Sequence, residues 1–296
     1  MSEGPILVTG AGGQLGRELA AALAACGDVV ACDRAALDVG DASAIARVLR
    51  HIAPRFIVNA AAYTAVDRAE RERDAAFAIN GVAPGVLAAE AKRRGALLVH
   101  YSTDYVFDGE RATPYEESSP TNPVSIYGAS KLAGERAIAA SGAMALTLRT
   151  SWVYSRHGQN FLVTMQKLAA TRDELRVVDD QVGVPNWSRW IATLTAGVLA
   201  RGAAYVAQRA GLYHLSARGS ATWCEFARAI VGDRERPRVT PIATADYPTP
   251  ARRPKYAVLD ASRFARTFDV ALPDWRNLLH ECLDAPVEPP RPAAVD

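Results

Sequence analysis

The chain has 296 residues, 49% of them hydrophobic and 22% charged, with a net charge of +2. That is an ordinary globular balance, and it gives no electrostatic reason to expect nucleic acid or an anionic membrane as partner. The four cysteines (Cys26, Cys32, Cys224, Cys282) form no C-x-x-C pair and the five histidines are dispersed. The pattern reads as reduced thiols of a cytoplasmic protein and argues against a catalytic metal. No apolar run approaches the ~20 residues of a membrane helix, and "PILVTG" begins a strand with no basic n-region or cleavage site ahead of it.

In chain order, short apolar runs alternate with amphipathic stretches. Strands are predicted at 6–9, 29–32, 56–60, 96–102 and 144–153, and helices at 14–26, 42–52 and 82–94. The runs are near-continuously apolar and β-branched, as strands buried on both faces must be. Strand–helix alternation of this kind predicts an α/β fold, a Rossmann-type doubly wound parallel sheet.

Beyond residue 150 the rhythm loosens. Helical stretches are predicted near 158–171, 187–200 and 220–231, with strand-like runs at 212–217 and 238–242. We expect a dinucleotide-binding domain over 1–150, with room for later segments to return to it. A smaller C-terminal α/β substrate domain, mainly 151–284, follows, then a Pro/Ala-rich disordered tail at 285–296.

"VTGAGGQLGREL" joins the first strand to the first helix and spaces Gly10, Gly13 and Gly16 as G-x-x-G-x-x-G. Such glycines let backbone approach a pyrophosphate, and a helix opening at Gln14 and Leu15 aims its positive end at that anion. Asp33, at the end of the second strand, can bind the adenosine ribose of NAD, whereas Arg34 can meet the 2′-phosphate of NADP, so the pair leaves NADH against NADPH open. Asp38 and Val39 are candidates for the adenine wall, with a plain loop before a helix cap at Asp41 as the alternative.

"HYSTDYVFDG" places Ser102, Thr103 and Tyr105 at the carboxyl end of the fourth strand, where ligands of parallel sheets lie. Further on, "YGASKLAGE" sets Tyr127 and Lys131 four apart, on one helix face. Lysine is scarce here: of 34 basic residues only Lys92, Lys131, Lys167 and Lys255 are lysine. A cation near a tyrosine lowers its pKa toward the range useful for acid–base work, and a hydroxyl such as that of Thr103 can hold a carbonyl oxygen. This combination is expected of carbonyl reduction by a nicotinamide cofactor. An exposed Tyr/Lys face is the alternative.

Taken together, "GAGGQLG", "NAAAYTAVD", "HYSTDYVFDG", "YGASKLAGE", "RTSWVY" and "DDQVGVP" resemble the extended short-chain dehydrogenase/reductases, from about residue 5 to 280. The resemblance implies NADPH or NADH as cofactor and a nucleotide-sugar substrate, dTDP-4-dehydro-L-rhamnose, reduced at its C4 ketone. It gives Thr103 the carbonyl-orienting hydroxyl, Tyr127 the acid–base role, and Lys131 the lysine that also grips the nicotinamide ribose. Ala60, Ala61 and Ala62 match small residues beside the cofactor. Thr64, Val66, Tyr105 and Trp152 match positions facing the sugar nucleotide, with core packing the alternative for Val66 and Trp152. Arg252 or Arg253 is placed to meet a diphosphate. The resemblance leaves room for a homodimer and for two other readings. One is a different nucleotide-sugar reductase, epimerase or dehydratase; the other is a non-catalytic, cofactor-binding regulatory subunit like the methionine adenosyltransferase β-subunit.

Overall fold

The computed structural model describes residues 4–232 and 235–286. Its centre is a six-stranded sheet. The strands are β1 (Ile6–Thr9), β2 (Val29–Cys32), β3 (Phe56–Asn59), β4 (Leu97–Thr103), β5 (Ala145–Thr150) and β7 (Gly211–His214). Their spatial order is β7-β5-β4-β3-β1-β2, and every neighbouring pair is parallel.

The two-residue period of a strand divides the core between the two faces. Ile6 and Val8 of β1, and Phe56 and Val58 of β3, point to one cluster; Leu7 and Ile57 point to the other. The first cluster is closed by α1 (Gln14–Leu23) and α6 (Ser188–Ala200), through Leu19, Leu23, Ile191 and Leu199, and by Phe264 and Phe268 of α8 (Ser262–Phe268). The second is closed by α2 (Ala42–Ile52), α3 (Ala83–Arg94) and α4 (Ile126–Ser141), through Ile45, Leu49, Leu87 and Ile138. Helix α2 starts where Asp41 accepts the Ser43 and Ala44 amides, the capping predicted as the alternative for this loop.

A separate core lies among α5 (Phe161–Ala169), α7 (Trp223–Val231), α9 (Trp275–Asp284) and the parallel pair β6 (Glu174–Val178) and β8 (Arg238–Ile242). Segments beyond residue 150 thus contribute to both cores: β7, α6 and α8 build on the main sheet.

Three differences from the sequence reading have local causes. The predicted strand 144–153 breaks after Thr150, because Trp152 takes φ +41° and Val153–Tyr154 leaves the sheet to pair with Asn186–Trp187. Strand β6 went unpredicted: it alternates exposed and buried residues over five positions and carries two charges. The predicted tail lies, from residue 287 onward, outside the described residues.

Because β1 is flanked by β2 on one side and β3 on the other, the chain reverses its direction of build there. In parallel sheets the crevice beyond such a reversal, at the carboxyl ends, is where ligands bind.

Candidate active site

The crevice is floored by the loop after β1. Gly10 has φ +69°, and Gly13 donates its amide to the Gly10 carbonyl at 2.9 Å. A Cβ on Gly16 would lie 2.1 Å from the Gly10 oxygen, and one on Gly10 would lie 2.6 Å from the Ala61 amide nitrogen. Glycine is therefore required at both positions, and the β1 and β3 loops touch through backbone. Helix α1 opens at Gln14 with no side-chain cap and no acid in its first turn, which leaves its positive end facing the crevice. Gln14 accepts a hydrogen bond from Ser155, and Leu15 packs on the core beneath. This is a cradle of the shape a dinucleotide pyrophosphate needs.

The end expected to meet the adenosine is exposed. Asp33 Oδ1 accepts the amides of Ala35 and Ala36, and a Cβ on Gly12 would lie 3.6 Å from the Asp33 Cβ. The Arg34 side chain is 83% exposed and approaches Asp38 at 3.8 Å. Asp38 ties the Gly40 amide, and Val39 is buried with the second cluster. Ala60, Ala61 and Ala62 are half-buried where the chain leaves β3, Thr64 is exposed, and Val66 is half-buried.

Thr103 and Tyr127 meet at the carboxyl end of β4. The Thr103 hydroxyl lies close enough to the Tyr127 phenol to act on its pKa, and it donates to Asp104 Oδ1 at 2.9 Å. The Tyr105 and Tyr127 rings meet edge to face at 5.6 Å. Three contacts hold Tyr127 here. Ser125 caps α4 at the Gly128 amide, Glu70 accepts the Ile126 amide, and Gly128 rides so close on the 104–106 turn that a Cβ would come 2.1 Å from the Tyr105 carbonyl.

The electrostatics correct one expectation. Lys131 is 2% exposed, and its Nζ donates to the Tyr101 carbonyl and lies 3.4 Å from His100 Nε2. Burial of the Tyr127 phenol pushes its pKa up to about 12, only partly offset by the nearby Thr103 hydroxyl. Burial draws Lys131 down to about 8, against the pull of Glu135. Tyr127 is thus a phenol at neutral pH, a proton donor rather than a phenolate. Burial also lifts Asp104 to about 7, and its Oδ2 is buried without a hydrogen-bond partner.

Trp152 stands two residues beyond β5, beside the strand that ends in Thr103. It stacks on Trp223 at 3.5 Å, and its indole crowds Gly183. Arg253 closes both terminal guanidinium nitrogens on Asp67, at 3.1 and 2.8 Å, and its charge acts on Tyr105. Arg252 is exposed and pairs with Glu110. Of the two predicted arginines, only Arg253 joins the Thr103–Tyr105–Tyr127 group.

Several residues that position the site were not foreseen. Asn80, in the π-turn 78–82, binds the Tyr63 amide and carbonyl and the Ser130 hydroxyl, tying the β3 loop to α4. Asp67 orients Arg253. Asn59 and His100 line the floor behind Lys131. Asn59 and Asp67 stood inside the quoted "NAAAYTAVD", but a buried amide has no periodic signature.

A family model described as the RmlD substrate binding domain matches residues 4–287. The dTDP-4-dehydrorhamnose reductase of Burkholderia thailandensis is 49% identical over 290 residues, covering 94% of this chain and 97% of that one. That of Escherichia coli strain K12 is 44% identical over 283 residues, covering 92% and 94%. The crystal structure of dTDP-4-dehydrorhamnose reductase from Bacillus anthracis in complex with NADP superposes with a TM-score of 0.89 at 35% identity, covering 95% of this chain and 99% of that one.

Proposed function

The chain belongs to the RmlD substrate binding domain family, and from that premise we propose that it is an NAD(P)H-dependent reductase converting the C4 ketone of dTDP-4-dehydro-L-rhamnose to the alcohol of dTDP-L-rhamnose. The observation that carries the reading is the juxtaposition of Thr103 with Tyr127, one helical turn from Lys131 and at the same edge of the sheet as the glycine cradle.

The residues fit the cofactor: glycine is sterically required where a pyrophosphate would press on the loop, and the uncapped α1 faces it. NADPH or NADH supplies the hydride when bound. Everything else falls to the chain. Gly10, Gly13, Gln14, Leu15 and Gly16 hold the pyrophosphate, and Asp33 with Arg34 serves the ribose of either cofactor form. The alanines at 60–62 leave room for its body. Thr103 holds the ketone oxygen by hydrogen bond, and Tyr127, kept protonated by its surroundings, gives that oxygen a proton as negative charge develops on it. Lys131 grips the nicotinamide ribose. Tyr105, Trp152, Thr64 and Val66 present the sugar nucleotide, and Arg253, oriented by Asp67, faces its diphosphate.

The proposal includes a cytoplasmic setting, in keeping with four free thiols, and a homodimer, which light scattering tests. For the activity itself, NAD(P)H oxidation is followed with a panel of nucleotide 4-keto sugars. Net cofactor consumption with the dTDP-linked sugar is expected. A product formed with the cofactor returned to its starting state would point to an epimerase or dehydratase and overturn the reading.

A further inference from the structure

Behind Lys131 runs a buried hydrogen-bonded chain that the reaction as described does not use. Thr9, Asn59, His100 and Lys131 are 0, 1, 1 and 2% exposed. The Asn59 amide has one possible orientation: the Ala61 backbone N–H, which can only donate, and the Thr9 hydroxyl both give hydrogen bonds to Oδ1, at 3.2 and 2.7 Å. Its Nδ2 must then donate to His100 Nδ1, 2.9 Å away. A neutral imidazole that accepts at Nδ1 carries its proton on Nε2, and Nε2 faces Lys131 Nζ at 3.4 Å. The ring does not escape by becoming a cation, because burial and then the lysine charge drive its pKa well below the ordinary value.

His100 therefore offers an N–H to the lysine. An ammonium has only N–H groups to offer in return, whereas a neutral amine can accept from His100 while donating to the Tyr101 carbonyl. We propose that His100, its tautomer locked by Thr9, Asn59 and the Ala61 amide, is a positioning residue that disfavours the ammonium form of Lys131 and so sets the pH at which this lysine gives up its proton. The inference rests on reading Lys131 as the lysine of the reductase site. It adds that the proton affinity of Lys131 is held in check from the floor of the crevice. The other groups around Lys131 act separately. Glu135, one turn on and held by Ser102 and Arg149, favours the charge. Tyr127 lies one turn back, with Asp104 beyond it.

Because the chain has four lysines, lysine labelled with carbon-13 at Cε gives four NMR signals, and Lys131 is identified by its loss in Lys131→Met. Titrating the protein without cofactor or substrate reads its pKa directly. The wild type is expected near 8. His100→Gln keeps the arrangement, its amide oxygen accepting from Asn59 and its N–H facing Lys131, and should titrate with the wild type. His100→Leu removes the opposing N–H, and Asn59→Leu frees the ring to present a lone pair; both should raise the Lys131 pKa by about one unit. Coincident titrations for the wild type and either leucine variant, or a rise in His100→Gln equal to that in His100→Leu, would overturn the inference. Turnover of wild type and Lys131→Met is measured beside them. Absent turnover in the wild type, or full turnover in Lys131→Met, sinks the functional reading alone and leaves the titration to decide the role of His100.

Discussion

The proton in this site is held by Tyr127, and its burial keeps it there: with the phenol pushed up to about 12, the side chain is a donor across the neutral range. Tyr127→Phe removes one oxygen and keeps the ring that meets Tyr105. We predict a fall in kcat of about 10²–10⁴, with cofactor affinity within about threefold, read by single-turnover oxidation beside fluorescence titration. Asp104 carries the second prediction at this scale. Its folded pKa of about 7 stands above the ordinary 3.8, so the stability it contributes is whole below 3.8 and is lost as pH rises through 7. Asp104→Asn, which can still accept from Thr103, should therefore raise stability at about pH 8 by up to about 4 kcal/mol and leave it unchanged at low pH. Urea midpoints at two pH values check the sign. The sequence points to Thr103, Tyr127 and Lys131 as candidates because their spacing on a strand end and a helix face is a chemical pattern. The surroundings of Lys131 were not legible, since the partners that hold it, His100 and Tyr101, are buried on strand β4. Asn59, Asp67 and Asn80 escaped for the same reason: each acts through a contact many residues away.

Helix α4 is the element on which the geometry turns, and its close approach to the 104–106 turn depends on the absent side chain of Gly128. An alanine there would put a methyl group 2.1 Å from the Tyr105 carbonyl, and backbone cannot yield as a flexible side chain can. Gly128→Ala should move α4 away from Thr103, cutting kcat by at least about tenfold and stability by about 1–3 kcal/mol. Unchanged kcat with a normal melting temperature would show that this contact is slack. At this scale the sequence was read well where periodicity was strong: α2 and β1 have the predicted bounds. It was read poorly where a turn interrupts an apolar run, as at Trp152, or where a short strand is half exposed, as in β6.

For the whole molecule, the sheet was legible because strands buried on both faces are continuously apolar. The sequence left room for later segments to return to the first domain, but not which ones, because a helix pattern does not say which surface it meets; α6 and α8 pack on the main sheet while α5, α7 and α9 close a core of their own. The same burial makes stability fall in acid. His214 is lowered from 6.5 to about 3, by burial and then by Arg149, and His100 is lowered well below 6.5. The unfolded chain binds these two protons first. Stability present above 6.5 is thus lost as pH falls toward 3, opposed in part by Asp104, whose ionisation is relieved over the same range. Melting temperature should drop between about pH 6.5 and pH 4, and His214→Gln should flatten the slope; a profile as steep as the wild type in that variant would remove His214 from the account. The central claim is that hydride reaches the C4 carbon of the sugar while Tyr127 gives the proton to its oxygen. The direct measurement uses NADPH deuterated at the transferred position, with dTDP-4-dehydro-L-rhamnose as substrate and NMR of the product. One deuterium at C4 of dTDP-L-rhamnose for each cofactor oxidised is the predicted result; deuterium remaining on the cofactor, or found at another carbon, would contradict it.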